Sequence, residues 1–233
     1  LEGVVKHNGP LIGDLPYTLS RFDTDLELAS HASLEAQIAA IADDIAYNTH
    51  DVEDGLNAGL ITLDDLADVP MMAGLLDRIR GEYPGLSEEK LRFSLFREMI
   101  GALVSDVIAT TRSNLEAVAP KSPADIRHAG RQMVVFSDDM NASVDLLRDI
   151  LKHKIYKHEH VLKNLYRAEL VISGLFEAYM NKPEFMPGFT GADWADDVEK
   201  ARAVADTIAG LNDLNSQNEY AELTGTRPLH YER

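Results

Sequence analysis

Between Ile41 and Asp51 the chain reads Ile-Ala-Asp-Asp-Ile-Ala-Tyr-Asn-Thr-His-Asp. Three acids, a phenol and an imidazole thus sit in an otherwise apolar, alanine-rich run of helical spacing, where burying an unpaired charge would be costly. Asp43, Tyr47 and Asp51 stand at i, i+4 and i+8, which places them on one helix face with His50 at its edge. Carboxylate oxygens suit hard divalent cations such as Mg²⁺ or Mn²⁺, so such a face can hold a metal and a hydroxylated ligand together. Asp43 alone does not make a metal site; the plain alternative is a solvated acidic face, or pairing with Lys or Arg. Adjacent helical residues point about 100° apart, so His50 and Asp51 could share a metal only across a kink. Asp51 is better suited to accept a hydrogen bond from a ligand hydroxyl, and His50 to be a packed or partly exposed histidine.

A second constellation lies between Arg148 and His158, a basic stretch in a chain of net charge −17. Arg148, Lys152 and Tyr156 recur at i, i+4 and i+8 if one helix continues through them. Two cations and a phenol on one face would suit a phosphorylated ligand bearing an aromatic base, with arginine forking onto phosphate oxygens. The alternative is a surface helix that turns its basic face to solvent beside an acidic neighbour. Arg127, His128 and Arg131 form a further basic patch, either an anion site or a subunit contact. Tyr166, Phe176 and Tyr179 have core-like spacing, and Trp194 reads as an anchor for the last helical region. No phosphate-binding loop, dinucleotide fingerprint, nucleophile elbow or zincin motif occurs.

The elements that must position these residues are helices throughout. Ser33 reads as the N-cap of a helix to about Leu60, Pro70 opens another, and Ser87 caps a third that carries Leu91, Leu95, Met99, Leu103, Val107 and Ile108. Helices over about 137–154 and 156–180, and one or two over 193–222, complete the chain, with a loop expected over 11–26. The fold class expected is all-α, an irregular multi-helix arrangement rather than a simple bundle. At 233 residues, 45% hydrophobic and 26% charged, the chain can bury a sizeable core. Zero cysteines exclude disulfides, thiolate metal sites and a cysteine nucleophile, and fit a reducing, cytoplasmic setting. No apolar run reaches the roughly 18 residues of a membrane span, and the acidic balance disfavours nucleic-acid backbones. The opening Leu1-Glu2-Gly3-Val4-Val5-Lys6-His7 looks like the middle of an amphipathic helix without a cap, which reads as a fragment, or a processed product, whose upstream part is missing.

Several of these segments together resemble the deoxyguanosine-triphosphate triphosphohydrolase family of HD-domain phosphohydrolases. They are Leu1 to Pro10, Ser33 to Gln37 running into Ala42 to Asp51, Phe136-Ser137, Tyr156-Lys157-His158, and Val204 to Gly210. The resemblance spans essentially the whole chain, as the C-terminal portion of such a protein: residues 1–119 as the remainder of the HD core and 120–233 as a C-terminal helical region. It implies an HD-domain-like fold, incomplete at its N-terminus, that cleaves a deoxynucleoside triphosphate to the deoxynucleoside and triphosphate with a divalent metal, Mg²⁺ or Mn²⁺. Asp43 matches a metal-binding aspartate, Tyr47 and Asp51 match positions at the deoxyribose, and Arg148 and Tyr156 match positions at the phosphates and nucleoside, with Lys152 beside them. The expected partners are a deoxynucleoside triphosphate and further copies of the chain. The family's other metal ligands, a histidine and a His-Asp dyad, would lie upstream of Leu1, and His50-Asp51 is not that dyad. Leu211-Asn212-Asp213-Leu214 departs from the basic run expected there. Two alternatives stand beside this reading: a non-catalytic helical nucleotide-binding or assembly module, and a hydrolase of another phosphoester.

Overall fold

The computed structural model describes residues 1–13 and 25–226. All the regular structure among them is helical, and the chain divides into two compact units, Leu1–Ile155 and Tyr156–Arg233. Most of the predicted loop over 11–26 lies outside the described residues.

The first unit opens with one short turn of helix, α1 (Glu2–Val5), rather than the longer amphipathic helix expected. It ends at Lys6, and the turn that follows reaches Gly9, whose φ of 101° suits a residue without a Cβ. Helix α2 (Leu34–Asn57) begins where Ser33 accepts a hydrogen bond from the Ala36 amide, and it stops before Gly59 at φ 68°. A four-residue helix, α3 (Leu63–Leu66), follows; Thr62 and Asp65 satisfy each other's backbone amides as a capping box. Pro70 occupies the first turn of α4 (Pro70–Glu82), where its missing N–H has no intrahelical partner to lose. Ser87 caps α5 (Glu88–Val118), Ser122 and Pro123 open α6 (Pro123–Arg127), and Ser137 caps α7 (Asp138–Leu151).

α2 and α4 both pack on α5, and α7 packs on α2 and α4. Their apolar stripes meet in a core that includes Val52, Leu56, Leu76, Leu95, Met99, Leu103, Val144 and Leu147, all nearly inaccessible. Each such side chain removed from water contributes roughly 1.5–3 kcal/mol. Gln37 ties a non-helical segment to this core. Its Nε2 donates to the Ala32 carbonyl, and its Oε1 accepts from the amides of Met133 and Val134. Lys154 donates to Asp65 at 2.6 Å, and this ammonium, helped by the Thr62 amide, holds the Asp65 carboxyl below its ordinary range.

After Leu151 the backbone widens into a π-helical turn, Lys152–Tyr156. The condition for Arg148, Lys152 and Tyr156 to share one face, a continuous α-helix, therefore fails: π-helical i→i+5 bonding changes the angular step per residue.

The second unit contains α8 (Glu159–Asn181), a 3₁₀ turn (Pro183–Phe185), α9 (Asp197–Ala209) and α10 (Asp213–Thr224). α9 and α10 both pack against α8, around Val171, Leu175, Tyr179, Met186 and Val204. Tyr179 is fully buried, and its hydroxyl donates to Glu219 at 3.2 Å; burial, with the Glu219 charge, pushes the phenol up to about 12. Phe176 packs on the same cluster, whereas Tyr166 is 61% exposed and is not core, contrary to its spacing. Trp194 stacks on Phe189 at 5.9 Å and lies under the Lys200 ammonium, in keeping with an anchoring role. Asn212, inside the stretch that departs from the basic pattern, caps α10 by accepting from the Asn215 amide.

Candidate functional site

α2 runs unbroken through residues 34–57, so Asp43, Tyr47 and Asp51 do lie along one of its faces. The opposite face supplies the core through Ile45, Thr49, Val52 and Leu56. The acidic face is open: the Asp43 side chain is 71% exposed and Tyr47 57% exposed. These charges therefore carry little of the desolvation cost that an apolar, alanine-rich run suggested. His50 is exposed too, with its Nδ1 3.7 Å from Glu53, the partly exposed histidine anticipated for it.

Neighbours that the spacing argument did not assign complete this face. Asp43 Oδ2 is 3.3 Å from His7 Nε2, from the segment after α1. Arg148, on α7, reaches across to α2. Its Nε donates to Asn48 Oδ1 at 3.4 Å and its Nη2 lies 3.4 Å from Asp44 Oδ2, while its Nη1 stands 4.0 Å from Asp145. The two constellations are thus brought together at Arg148. Lys152 is exposed at the start of the π-helical turn. Tyr156 is the first residue of the second unit and is half-buried. Asp44 and Asn48 stand four apart on the helix stripe next to that of Asp43 and Tyr47. That i, i+4 relation is visible in the sequence, but nothing in it names Arg148 as the partner.

In the other basic patch Arg127 is committed to a carboxylate. Arg127 makes two parallel hydrogen bonds to Glu2, Nε to Oε1 at 2.9 Å and Nη2 to Oε2 at 2.8 Å, and Lys6 adds a third contact to the same carboxylate. The Arg127 guanidinium, with Lys6, holds the Glu2 carboxyl at about 2. A cation so engaged is a structural strut. His128 lies 3.2 Å from Glu27.

As a metal centre the arrangement is partial. Asp43 offers a hard oxygen donor and His7 an imidazole nitrogen beside it, and no group of three or more His, Asp or Glu side chains among the described residues is arranged to hold an ion. Zinc sites take three or four protein donors, whereas Mg²⁺ is held by one or two carboxylates with waters and substrate phosphates. The described residues therefore offer part of a site, with Asp43 as its hard donor. What they offer is a shallow wall: a carboxylate, a phenol and a second carboxylate in a row, flanked by an arginine whose charge is only loosely engaged.

The sequence has informative relatives. A phosphohydrolase-associated domain matches residues 134–222. A deoxyguanosinetriphosphate triphosphohydrolase-like protein from Cereibacter sphaeroides is 41% identical over 97% of this chain and 61% of its own length. The deoxyguanosinetriphosphate triphosphohydrolase-like protein 1 of Mesorhizobium japonicum is 43% identical over 98% of the chain and 59% of its own length. A similarly named protein of Rhizobium meliloti is 41% identical over 91% of the chain and 56% of its own length. The chain thus spans about three fifths of the curated relatives it matches. No helix among the described residues is long and apolar enough to cross a membrane. Over nearly its whole length the chain is similar to deoxyguanosinetriphosphate triphosphohydrolase-like proteins, and it aligns with the C-terminal part of these longer proteins.

Proposed function

We propose that the full-length protein hydrolyses deoxynucleoside triphosphates to the deoxynucleoside and inorganic triphosphate, with a divalent metal ion. The observation that carries this reading is the approach of Arg148 to α2, which sets a cation beside the row Asp43, Tyr47 and Asp51. A nucleotide needs such a set: a charge for its phosphates and, next to it, a flat apolar surface and an acceptor for its sugar.

In the reaction, water adds to the α-phosphorus and the bond from that phosphorus to the 5′ oxygen breaks. The water oxygen stays on the released triphosphate and a proton goes to the nucleoside 5′ oxygen. Arg148, with Lys152, neutralises phosphate charge. Tyr47 packs under the deoxyribose, where a 2′-hydroxyl would press on its ring. Asp51 accepts a hydrogen bond from the 3′-hydroxyl, and Tyr156 takes the nucleoside contact that the family resemblance implies for it. Asp43 would hold the divalent cation, Mg²⁺ or Mn²⁺, together with donors supplied elsewhere in the full-length protein, and the bound ion would polarise a phosphoryl oxygen and activate water. Residues 1–119 complete the HD core in this reading, 120–233 are the accessory helical region, and the working form is a homo-oligomer.

The decisive assay measures triphosphate release from the four deoxynucleoside triphosphates, and from the matching ribonucleotides, by the full-length protein with Mn²⁺. Release of triphosphate from deoxynucleotides supports the reading. Release of single phosphates, or no turnover with any nucleotide, overturns it.

A further inference from the structure

The first unit contains two arginines that meet carboxylates in opposite ways. Arg127 is locked, with two short parallel hydrogen bonds to a Glu2 side chain that is only 21% exposed. Arg148 is held loosely. Its nearest approach to Asp44 is a single 3.4 Å contact, and the two side chains are 43% and 53% exposed. Pairs of the second kind are weak and readily exchanged, because water screens them and both side chains lose rotamer freedom to form them. A phosphate chain offers the same guanidinium several adjacent oxygens and more than one charge, a better partner than one monodentate carboxylate.

Asn48 is the second half of the arrangement. It is 1% exposed, and its Nδ2 has no hydrogen-bond partner. An unpaired buried donor is unfavourable, and a small apolar residue at this position would avoid that cost. What asparagine supplies there is the Oδ1 that accepts from Arg148 Nε, across 100 residues of sequence. With Nε fixed, the guanidinium plane is set, and its Nη edge is the part left to exchange partners.

We propose that Asn48 and Asp44 are positioning residues for Arg148. Asn48 orients the guanidinium through Nε, and Asp44 occupies its Nη2 edge as an internal stand-in for phosphate that the ligand must displace. Asp44 thereby lowers the affinity of the site for triphosphate, and Asn48 raises it. This rests on the phosphate role of Arg148 proposed above.

The test is calorimetric titration of the full-length protein with inorganic triphosphate in the presence of EDTA. It compares wild type with Asp44→Asn, Asn48→Ala, Arg148→Ala and the Asp44→Asn/Arg148→Ala pair. Asp44→Asn is expected to tighten binding up to about fivefold, the scale of an exposed ion pair, and Asn48→Ala to weaken it. The tightening must vanish when Arg148 is absent. Asp44 is half-exposed, so its variant reads the effect even if Asn48→Ala folds poorly; a gain in affinity is not what a structural defect produces. No change with Asp44→Asn, or the same tightening without Arg148, overturns the inference while leaving the phosphate role of Arg148 intact. Unchanged binding by Arg148→Ala removes that role and the inference together.

Discussion

Arg127 and Glu2 join the first helical turn of the chain to α6 through a two-point ion pair, with Lys6 completing the neutralisation of the carboxylate. Glu2 is held at about 2 against its ordinary 4.5. A depressed carboxyl stabilises the folded form fully above its unfolded value, and the contribution is lost as pH falls through the folded value. Acid unfolding of the first unit should therefore show a Glu2 component between pH 4.5 and about 2. Denaturant titrations at a series of pH values should find a shallower pH dependence across that window in Glu2→Gln. An unchanged slope would mean that the pair does not persist in solution.

Gln37 anchors the segment that leads into α7. Replacing it by leucine leaves the Met133 and Val134 amides and the Ala32 carbonyl without their partner in a buried setting. At roughly 1–3 kcal/mol for each unsatisfied buried group, softened by local relaxation, the expected loss is about 2–4 kcal/mol. Hydrogen exchange at the two amides should rise well before global unfolding, whereas uniform protection would show that other partners take over.

The helix starts were legible because their chemistry is local: Ser33, Ser87 and Ser137 accept from amides three residues on, and Pro70 sits where a missing N–H is harmless. α3 escaped the sequence reading because a single turn, Leu63–Leu66, has no period to detect. The π-helical turn after Leu151 escaped it as well, since composition does not distinguish i→i+4 from i→i+5 bonding. At the site, the row Asp43, Tyr47 and Asp51 followed from helical spacing, and its exposure did not. The partners His7 for Asp43 and Asp44 with Asn48 for Arg148 are tertiary facts, set by the packing of α1, α2 and α7. Helical period can say which residues share a face; it cannot say what stands opposite.

The sugar-facing roles of Tyr47 and Asp51 are open to direct kinetic test in the full-length protein. Tyr47→Ala should narrow the preference for deoxynucleotides over ribonucleotides by admitting the 2′-hydroxyl. Asp51→Ala should lower kcat/KM by about tenfold or more for deoxynucleotides, the scale of a lost hydrogen bond to a charged group, with a smaller effect on 3′-deoxy substrates. If Tyr47→Ala keeps the wild-type ratio of deoxynucleotide to ribonucleotide turnover and Asp51→Ala keeps the wild-type kcat/KM, the assignment of this face to the sugar is wrong.

Gly55 and Gly101 make a matched pair for the packing of the first unit. Both are interior helical glycines, and alanine in such a position ordinarily stabilises by up to about 1 kcal/mol. At Gly101, on α5, an added Cβ meets nothing within 4 Å, so Gly101→Ala should raise the unfolding midpoint. At Gly55, on α2, the same carbon would come within 2.4 Å of Ile155 Cδ1 and 3.0 Å of Ile61 Cγ1. The Ile155 methyl is the far end of a flexible chain and can swing. Ile61 is 2% exposed and has little room to move. Overpacking of this kind costs about 1–3 kcal/mol, which outweighs the gain in helix propensity, so Gly55→Ala should lower the midpoint. Ile155 closes the first unit from within the π-helical turn that begins at Lys152, so the displaced methyl also loosens the seat of that turn on α2. Truncating it, in Gly55→Ala/Ile155→Val, should recover only a small part of the lost stability, because the unyielding contact is Ile61. Recovery of most of it would place the strain at Ile155 instead.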